Sequence, residues 1–131
     1  MLNQFKDLMK TEGPKADRKL RLGIIGTGWI ASVYAEAFVY FDDITVTAIA
    51  DLVPGKAEAF KEKYGFSDAV CYPSHKELVD NNPDLDAVFV CTYNRAHAEC
   101  TIYALDAGIN VLCEKPMCVT LDEAEIGRAH V

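Results

Sequence analysis

The sequence LGIIGTGWIA at residues 22–31 decides the fold of this chain. It opens with an apolar run typical of a buried strand, then turns at Gly26-Thr27-Gly28 into a segment whose apolar residues recur at helical spacing. In this setting GxGxxA predicts a dinucleotide site. Gly26 would make the tight turn, Gly28 would admit a pyrophosphate, and Ala31 would let the helix pack on the strand. The phosphates would then lie at a helix N-terminus. A purely structural glycine turn, or another nucleoside ligand, is the alternative.

Strands and helices alternate along the rest of the chain. Apolar and β-branched runs predict four further strands, at residues 44–50, 69–72, 86–91 and 110–113. Helical spacing and capping residues predict helices beginning near residues 29, 54, 74, 96 and 120. This alternation indicates right-handed βαβ units and a Rossmann-type, doubly wound parallel sheet of the α/β class. Ligands of such sheets bind beyond the carboxyl ends of the strands, so the residues that follow each strand are the candidates.

Asp51 ends the second predicted strand, 23 residues after Gly28. A carboxylate at this place can accept hydrogen bonds from both hydroxyls of an adenosine ribose, and its charge would repel the 2′-phosphate of NADP. No arginine follows closely, so we expect NAD rather than NADP. Lys56 is the cation nearest to Asp51 in the sequence, and its charge could allow the use of both cofactors. The alternative is a solvated aspartate with no ligand.

Two further strand ends carry polar side chains. The fourth strand leads into CTYNRAH at residues 91–97, where a hydroxyl, an amide and an imidazole come together. Taken alone, His97 is typical of a surface histidine at a helix start. The fifth strand leads into Glu114-Lys115-Pro116. Lys115 could contact a nicotinamide ribose or a substrate hydroxyl, or form only a weak surface ion pair with Glu114.

Composition limits the classes of protein that fit. The chain has 131 residues, a length suited to one domain, and 13 basic against 20 acidic residues give a net charge of −7. That charge argues against nucleic acid and anionic membranes as partners, and no apolar run is long enough to predict a membrane span. The five cysteines lack the CxxC spacing of a metal site. Their odd number, without a secretory signal, favours a reducing compartment, the cytoplasm.

Four stretches together resemble the N-terminal domain of the Gfo/Idh/MocA oxidoreductases, which include glucose–fructose oxidoreductase and inositol dehydrogenases. They are LGIIGTGWIA at 22–31, IAD at 49–51, CTYNRAHAE at 91–99 and GINVLCEKPM at 108–117. The resemblance covers about residues 20–125. It implies cofactor contacts at Gly26, Thr27, Gly28, Trp29 and Ile30 for the pyrophosphate, at Asp51 for the adenosine ribose, at Thr92, Asn94 and His97 along the nicotinamide, and at Glu114 and Lys115 for the nicotinamide ribose. One departure is Tyr93, where many members have proline. In the family the Lys–Pro peptide is often cis.

The resemblance also implies the reaction. A hydride would pass reversibly between NAD and a carbinol of a small sugar or cyclitol, with Lys115 as the catalytic residue that holds the reacting hydroxyl. The general base would be a histidine of a second, sheet-rich domain, through which family members usually form homo-oligomers. That domain lies outside this sequence, and neither His75 nor His130 suits as a replacement. We therefore expect this chain alone to bind NAD weakly and to turn nothing over.

Three segments follow from these patterns: an N-terminal extension at 1–19, the dinucleotide-binding domain at 20–125, and a non-native tail at 126–131. The tail reads IGRAHV, which is also the translation of a common sequencing adapter, so we expect read-through there; a natural terminus is the alternative. Two other functions stay open. One is a stand-alone nucleotide-binding sensor or partner-binding module without catalysis. The other is a methyltransferase, which would have no use for the residues at 92–97 and 114–116.

Overall fold

One parallel sheet forms the centre of the molecule. In this computed structural model the described residues are 17–129, with side chains described up to residue 126. The strands are β1 (Leu20–Ile25), β2 (Ile44–Ala50), β3 (Val70–Tyr72), β4 (Ala87–Val90) and β5 (Asn110–Cys113). Within this part of the chain their order is β3-β2-β1-β4-β5, and every neighbouring pair is parallel. The predicted doubly wound α/β sheet is confirmed.

Helices follow the strands in the predicted alternation. They are α1 (Trp29–Phe38), α2 (Lys56–Tyr64), α3 (His75–Asp80), a short 3₁₀ turn (Asn94–Ala96), α4 (His97–Asp106) and α5 (Leu121–Ala129). Two predicted N-terminal caps are confirmed. The Glu77 backbone N–H donates to Ser74 Oγ over 3.2 Å, and Thr120 and Glu123 exchange two hydrogen bonds of 3.2 Å each.

Some element boundaries differ from the prediction. The helix expected from residue 96 begins one residue later, at His97, because a 3₁₀ turn precedes it. The helix expected to include Pro54 in its first turn begins at Lys56, because Gly55 adopts the left-handed conformation (φ 82°) as the residue before it. β4 lacks residues 86 and 91 of the predicted strand. None of these differences moves a candidate residue away from the carboxyl edge of the sheet.

Both faces of the sheet are buried, which explains its almost wholly apolar strands. Ile24 and Ile25 are neighbours in β1, and they belong to separate clusters of buried side chains because successive side chains of a strand point to opposite faces. On the Ile24 face, α1 contributes Ala31 and Ala35. On the Ile25 face, the cluster includes Leu78, Val88, Val90, Cys100, Ala104 and Ile109. The central strands are thus fixed from both sides, and their carboxyl ends form a firm edge.

The strand order reverses between β1 and β4, which are hydrogen-bonded neighbours. The helix after β1 packs on one face of the sheet and the helix after β4 packs on the other. A crevice therefore opens where these two strands end, which is the place where doubly wound sheets bind their ligands.

The first described residues form hydrogen bonds with the residue directly before β4. Arg18 lies in the predicted extension 1–19, and its guanidinium donates two hydrogen bonds of 2.7 Å to the carboxylate of Asp86. Residues 1–16 of that extension and residues 130–131 of the predicted tail lie outside the described residues. At the other end, α5 crosses the predicted boundary at residue 126 and ends at Ala129. No helix between residues 17 and 129 combines the length and apolar character that crossing a membrane requires.

Candidate dinucleotide-binding site

A cavity of about 520 Å³ lies at the carboxyl edge of the sheet. Its walls come from the residues after β1, β2 and β4 and from the first residues of α3 and α4. The lining residues are Ile25, Gly26, Thr27, Gly28, Ala50, Asp51, Leu52, Val53, Lys56, Ser74, His75, Lys76, Cys91, Thr92, Tyr93, Ala96, Glu99 and Cys100. Segments that are far apart in the sequence, and on which the prediction placed most of its candidates, thus share one cavity.

The glycine turn after β1 forms the floor of this cavity. Gly26 has a φ of 89°, and a Cβ built on it would lie 2.8 Å from Thr92 N and 2.9 Å from Cys91 O, so only glycine fits between the two strand ends. A Cβ on Gly28 would meet nothing within 4 Å, which shows open space in front of that residue. Ser32 N donates the first backbone hydrogen bond of α1, to Gly28 O. The preceding N–H groups of α1 are therefore left to bind an anion.

Asp51 lies directly after β2 and contacts the glycine turn. Its Oδ2 accepts hydrogen bonds from Thr27 N (3.0 Å) and Thr27 Oγ1 (2.6 Å), and its Oδ1 accepts one from Val53 N (2.9 Å). Lys56 Nζ lies 3.8 Å from Oδ2. Burial raises the pKa of Asp51, but the hydrogen bonds from Thr27 and Val53, together with the Lys56 charge, outweigh burial and leave this pKa below its ordinary value. The carboxylate is therefore charged, with roughly one of its four acceptor positions unfilled.

His97 does not lie on the surface, so the reading of this residue as a typical surface histidine is wrong. Its side chain is 1% exposed, and its ring lies between two backbone carbonyls. Nε2 is 2.9 Å from Thr92 O, and Nδ1 is 2.7 Å from Pro116 O. The ring thus joins the cavity-lining loop after β4 to the turn at residues 114–116. Burial follows from this position, because α4 begins between the two loops.

The turn at residues 114–116 lies beside the cavity and does not line it. Glu114 Oε1 accepts a hydrogen bond from the hydroxyl of Tyr34 on α1, and Glu114 Oε2 accepts one from Lys115 N over 3.2 Å. The hydrogen bond to Glu114, followed by burial, raises the pKa of Tyr34 to about 12. The Lys115–Pro116 peptide is cis, as the resemblance implied. The weak ion pair between Lys115 and Glu114 is absent from the described residues, since no carboxylate there lies within 4.0 Å of the Lys115 ammonium.

The structure brings together some of the predicted cofactor contacts and leaves others apart. Those that line the cavity are Gly26, Thr27, Gly28, Asp51 and Thr92. Those that lie outside its lining are Trp29, Ile30, Asn94, His97, Glu114 and Lys115. The Trp29 side chain is 80% exposed at the start of α1, and the backbone of this residue forms the first turn of that helix.

Sequence reasoning missed the apolar residues that line the cavity next to Asp51. Leu52 and Val53 are 66% and 54% exposed and line the cavity next to Asp51. Two exposed apolar residues directly after a strand-end acid were the signal that could have found them. His75, to which the sequence assigns no role at the site, also lines the cavity; its Nε2 lies 3.6 Å from Glu99 Oε1, and burial lowers its pKa.

The cysteines of the site are unreactive. Burial raises the pKa of Cys91 and of Cys100 to about 12, so both remain thiols at neutral pH. Within residues 17–129, no three histidine, cysteine, aspartate or glutamate side chains are grouped so that they could hold a metal ion. The charged groups that line the cavity include the carboxylates of Asp51 and Glu99 and the ammonium groups of Lys56 and Lys76.

A parallel sheet with this strand order, a glycine turn at the reversal of strand order and an acid at the end of β2 define a dinucleotide-binding α/β domain. The chain belongs to the Gfo/Idh/MocA family, since the family model described as "Oxidoreductase family, NAD-binding Rossmann fold" matches residues 20–128. It is a NAD-binding domain of that family.

Individual relatives support this assignment. Myo-inositol 2-dehydrogenase of Thermotoga maritima is 35% identical over 106 residues, which are 81% of this chain and 31% of the relative. D-glucoside 3-dehydrogenase of Escherichia coli K12 is 39% identical over 106 residues, which are 80% of this chain and 29% of the relative. The structure of myo-inositol dehydrogenase from Lactobacillus casei in complex with NAD(H) and myo-inositol superposes with a TM-score of 0.80 at 29% identity, over 86% of this chain and 33% of that one. The chain spans about 30% of the length of the curated relatives it matches.

Proposed function

We propose that this chain is the cofactor-binding part of a dehydrogenase that transfers a hydride between NAD and a hydroxyl-bearing carbon of a sugar or cyclitol. The observation that carries the proposal is that the Gly26–Gly28 turn and Asp51 line one cavity at the reversal of strand order. The names of the relatives, which are inositol and glucoside dehydrogenases, support the substrate class.

The cavity fits a dinucleotide on its own geometry. The open space in front of Gly28 lies at the start of α1, where free backbone N–H groups favour an anion. We assign the pyrophosphate to residues 26–30, with the backbone of Trp29 and Ile30 contributing. Leu52 and Val53 offer an exposed apolar surface beside Asp51, which suits an adenine ring.

Asp51 supports NAD over NADP. A 2′-phosphate would be brought against a charged carboxylate. One ribose hydroxyl would take the acceptor position that remains on Asp51, and the second would require the Thr27 hydroxyl to turn away from Oδ2. Lys56, at 3.8 Å from the same oxygen, weakens the discrimination by offsetting part of the negative charge.

The remaining predicted residues are assigned to the reactive end of the cofactor. When bound, NAD supplies the hydride acceptor. We assign the nicotinamide side to Thr92 and Asn94, and the nicotinamide ribose to Glu114 and Lys115. Lys115 would also hold the reacting hydroxyl and favour loss of its proton through positive charge. His97 would act on this end through the two loops it joins, because both its ring nitrogens contact backbone carbonyls.

The proposal extends to the whole protein. It includes a general base supplied by a second domain, formation of homo-oligomers through that domain, and a cytoplasmic location. A stand-alone binding module, which would bind the nucleotide without catalysis, is the competing outcome.

Isothermal titration of this chain with NAD, NADP and S-adenosylmethionine tests the proposal. We expect NAD to bind most tightly, and Asp51→Asn to weaken NAD binding about tenfold or more, since hydrogen bonds to a charged group are lost. Asp84→Asn is the matched control, because that carboxylate pairs with Arg21 ahead of β4 and does not line the cavity. Tight binding of S-adenosylmethionine without NAD binding, or equal affinities of the two Asp51 forms, would contradict the proposal.

A further inference from the structure

Among the residues whose side chains the structure describes, none forms an ion pair with the Lys115 ammonium, although a glutamate precedes it in the sequence. Its side chain is exposed, and no carboxylate within residues 17–126 lies within 4.0 Å of its Nζ. Glu114 is the neighbouring carboxylate in the sequence, and its side chain makes hydrogen bonds to other groups instead.

Each carboxylate oxygen of Glu114 accepts one hydrogen bond. Oε1 accepts from the Tyr34 hydroxyl, and Oε2 accepts from the Lys115 backbone N–H over 3.2 Å. The backbone at this point is fixed as well, because Glu114 N donates to Val90 O over 3.0 Å. Without the Tyr34 hydroxyl, Glu114 Oε1 would lose the hydrogen bond that it accepts. The carboxylate would then be attracted by the nearest positive charge.

Tyr34 reaches Glu114 from a different part of the chain, 80 residues away in sequence. Its ring packs against Phe89 of β4 with the ring centroids 5.3 Å apart, and Phe38, one turn further along α1, packs on the same Phe89. The contact between Tyr34 and Phe89 supports the position of the Tyr34 ring in addition to the hydrogen bond with Glu114.

We propose that Tyr34 is a positioning residue, whose hydroxyl retains the Glu114 carboxylate so that the Lys115 ammonium stays free for the reacting hydroxyl group. The functional meaning of this arrangement rests on the proposed dehydrogenase role of Lys115. The effect of Tyr34 on Glu114 and Lys115 does not depend on that role, and the reactivity of Lys115 can be measured without cofactor or substrate. An ammonium already paired with a carboxylate would hold a substrate hydroxyl less well, because the carboxylate competes for the same N–H donors.

Competitive labelling with acetic anhydride, read by mass spectrometry, measures the reactivity of Lys115 against Lys63 on α2 as the internal reference. We expect Tyr34→Phe to slow acetylation of Lys115 by up to about fivefold, because Glu114 then pairs with the ammonium. That factor corresponds to about 1 kcal/mol, the upper range for an exposed ion pair. The double variant Tyr34→Phe/Glu114→Gln should return the rate to that of the unsubstituted chain, since glutamine carries no charge.

Tyr103→Phe is the matched control. Tyr103 on α4 also donates to a carboxylate, that of Asp80 on α3, over 2.9 Å, and this hydrogen bond involves no residue of the 114–116 turn. It should leave Lys115 reactivity unchanged. A Lys115 rate that is unchanged or faster in Tyr34→Phe, or that Glu114→Gln does not restore, would overturn the proposal. If Tyr34→Phe fails to fold by circular dichroism, Glu114→Gln alone decides. An unchanged rate shows that Glu114 is kept off the Lys115 ammonium, as the proposal requires, and a faster rate shows that the two already pair, which overturns the proposal. None of these outcomes depends on NAD binding.

Discussion

The two sides of the candidate site are built in different ways. On the β1–β2 side, short-range backbone features shape the cavity: the left-handed Gly26, the start of α1, and Asp51 held by Thr27. On the β4–β5 side, helix side chains hold the loops, with Tyr34 bound to Glu114 and His97 joining two carbonyls. The first side is rigid because its backbone allows little else. The second depends on a few side chains that do not line the cavity.

The largest effect is expected at the backbone of the first side. Gly26→Ala would place a Cβ 2.8 Å from Thr92 N at a φ of 89°, and backbone atoms cannot move aside cheaply. We expect a loss of about 4 kcal/mol in the free energy of unfolding by urea denaturation, with loss of NAD binding. Gly28→Ala is the control, because its Cβ meets open space; it should weaken NAD binding while changing stability by less than about 1 kcal/mol. Similar free energies of unfolding for the two variants would contradict the claim that the backbone at Gly26 leaves no room for a side chain.

The second side should respond most strongly at His97. His97→Leu fills the space of the ring but leaves the carbonyls of Thr92 and Pro116 without their buried partner. We expect a loss of about 2–4 kcal/mol in urea denaturation. His75→Leu should cost less than about 1 kcal/mol, because that histidine makes no hydrogen bond to a carbonyl. Equal losses would mean that His97 contributes packing and not a link between loops.

A smaller effect is expected on cofactor choice. Lys56→Met removes the charge 3.8 Å from Asp51 Oδ2 while keeping the length of the side chain. We expect the ratio of NAD to NADP affinity to rise by up to about fivefold, the range of an exposed ion pair. Lys63→Met on the same helix is the control. A fall in the ratio, measured by titration with both cofactors, would show that Lys56 does not help to accommodate a 2′-phosphate.

The smallest effect on stability is expected outside the site, at the surface ion pair between Arg18 and Asp86. Hydrogen bonds from Arg18 lower the pKa of Asp86 to about 2. Since this folded-state value is depressed, its contribution to stability is present above the ordinary pKa of an aspartate, about 4, and is lost as the pH falls toward 2. Arg18→Ala should therefore lower the melting temperature slightly at pH 7 and by much less at pH 2, where about half of the Asp86 carboxyl groups are protonated. A difference of equal size at both pH values would point to a packing role for Arg18.

Sequence alone could predict the fold and the first side of the site, because both depend on local patterns. Alternation of apolar runs with helical spacing indicates the parallel sheet, and the positions of Gly26, Gly28 and Asp51 at strand ends follow directly from it. The second side could not be predicted in the same way. Nothing near Tyr34 in the sequence points to Glu114, and nothing near His97 shows that its ring is buried between two loops. Such contacts depend on how helices pack against the sheet.

A crystal structure of this chain, determined from crystals grown with NAD, would test the assignment of the site most directly. We expect the pyrophosphate at the start of α1 beside Gly28, the adenosine ribose on Asp51 with the Thr27 hydroxyl turned away from Oδ2, and the nicotinamide end directed toward Thr92. NAD bound at another surface, or a cavity at the Gly26–Gly28 turn that stays empty at saturating NAD, would contradict it.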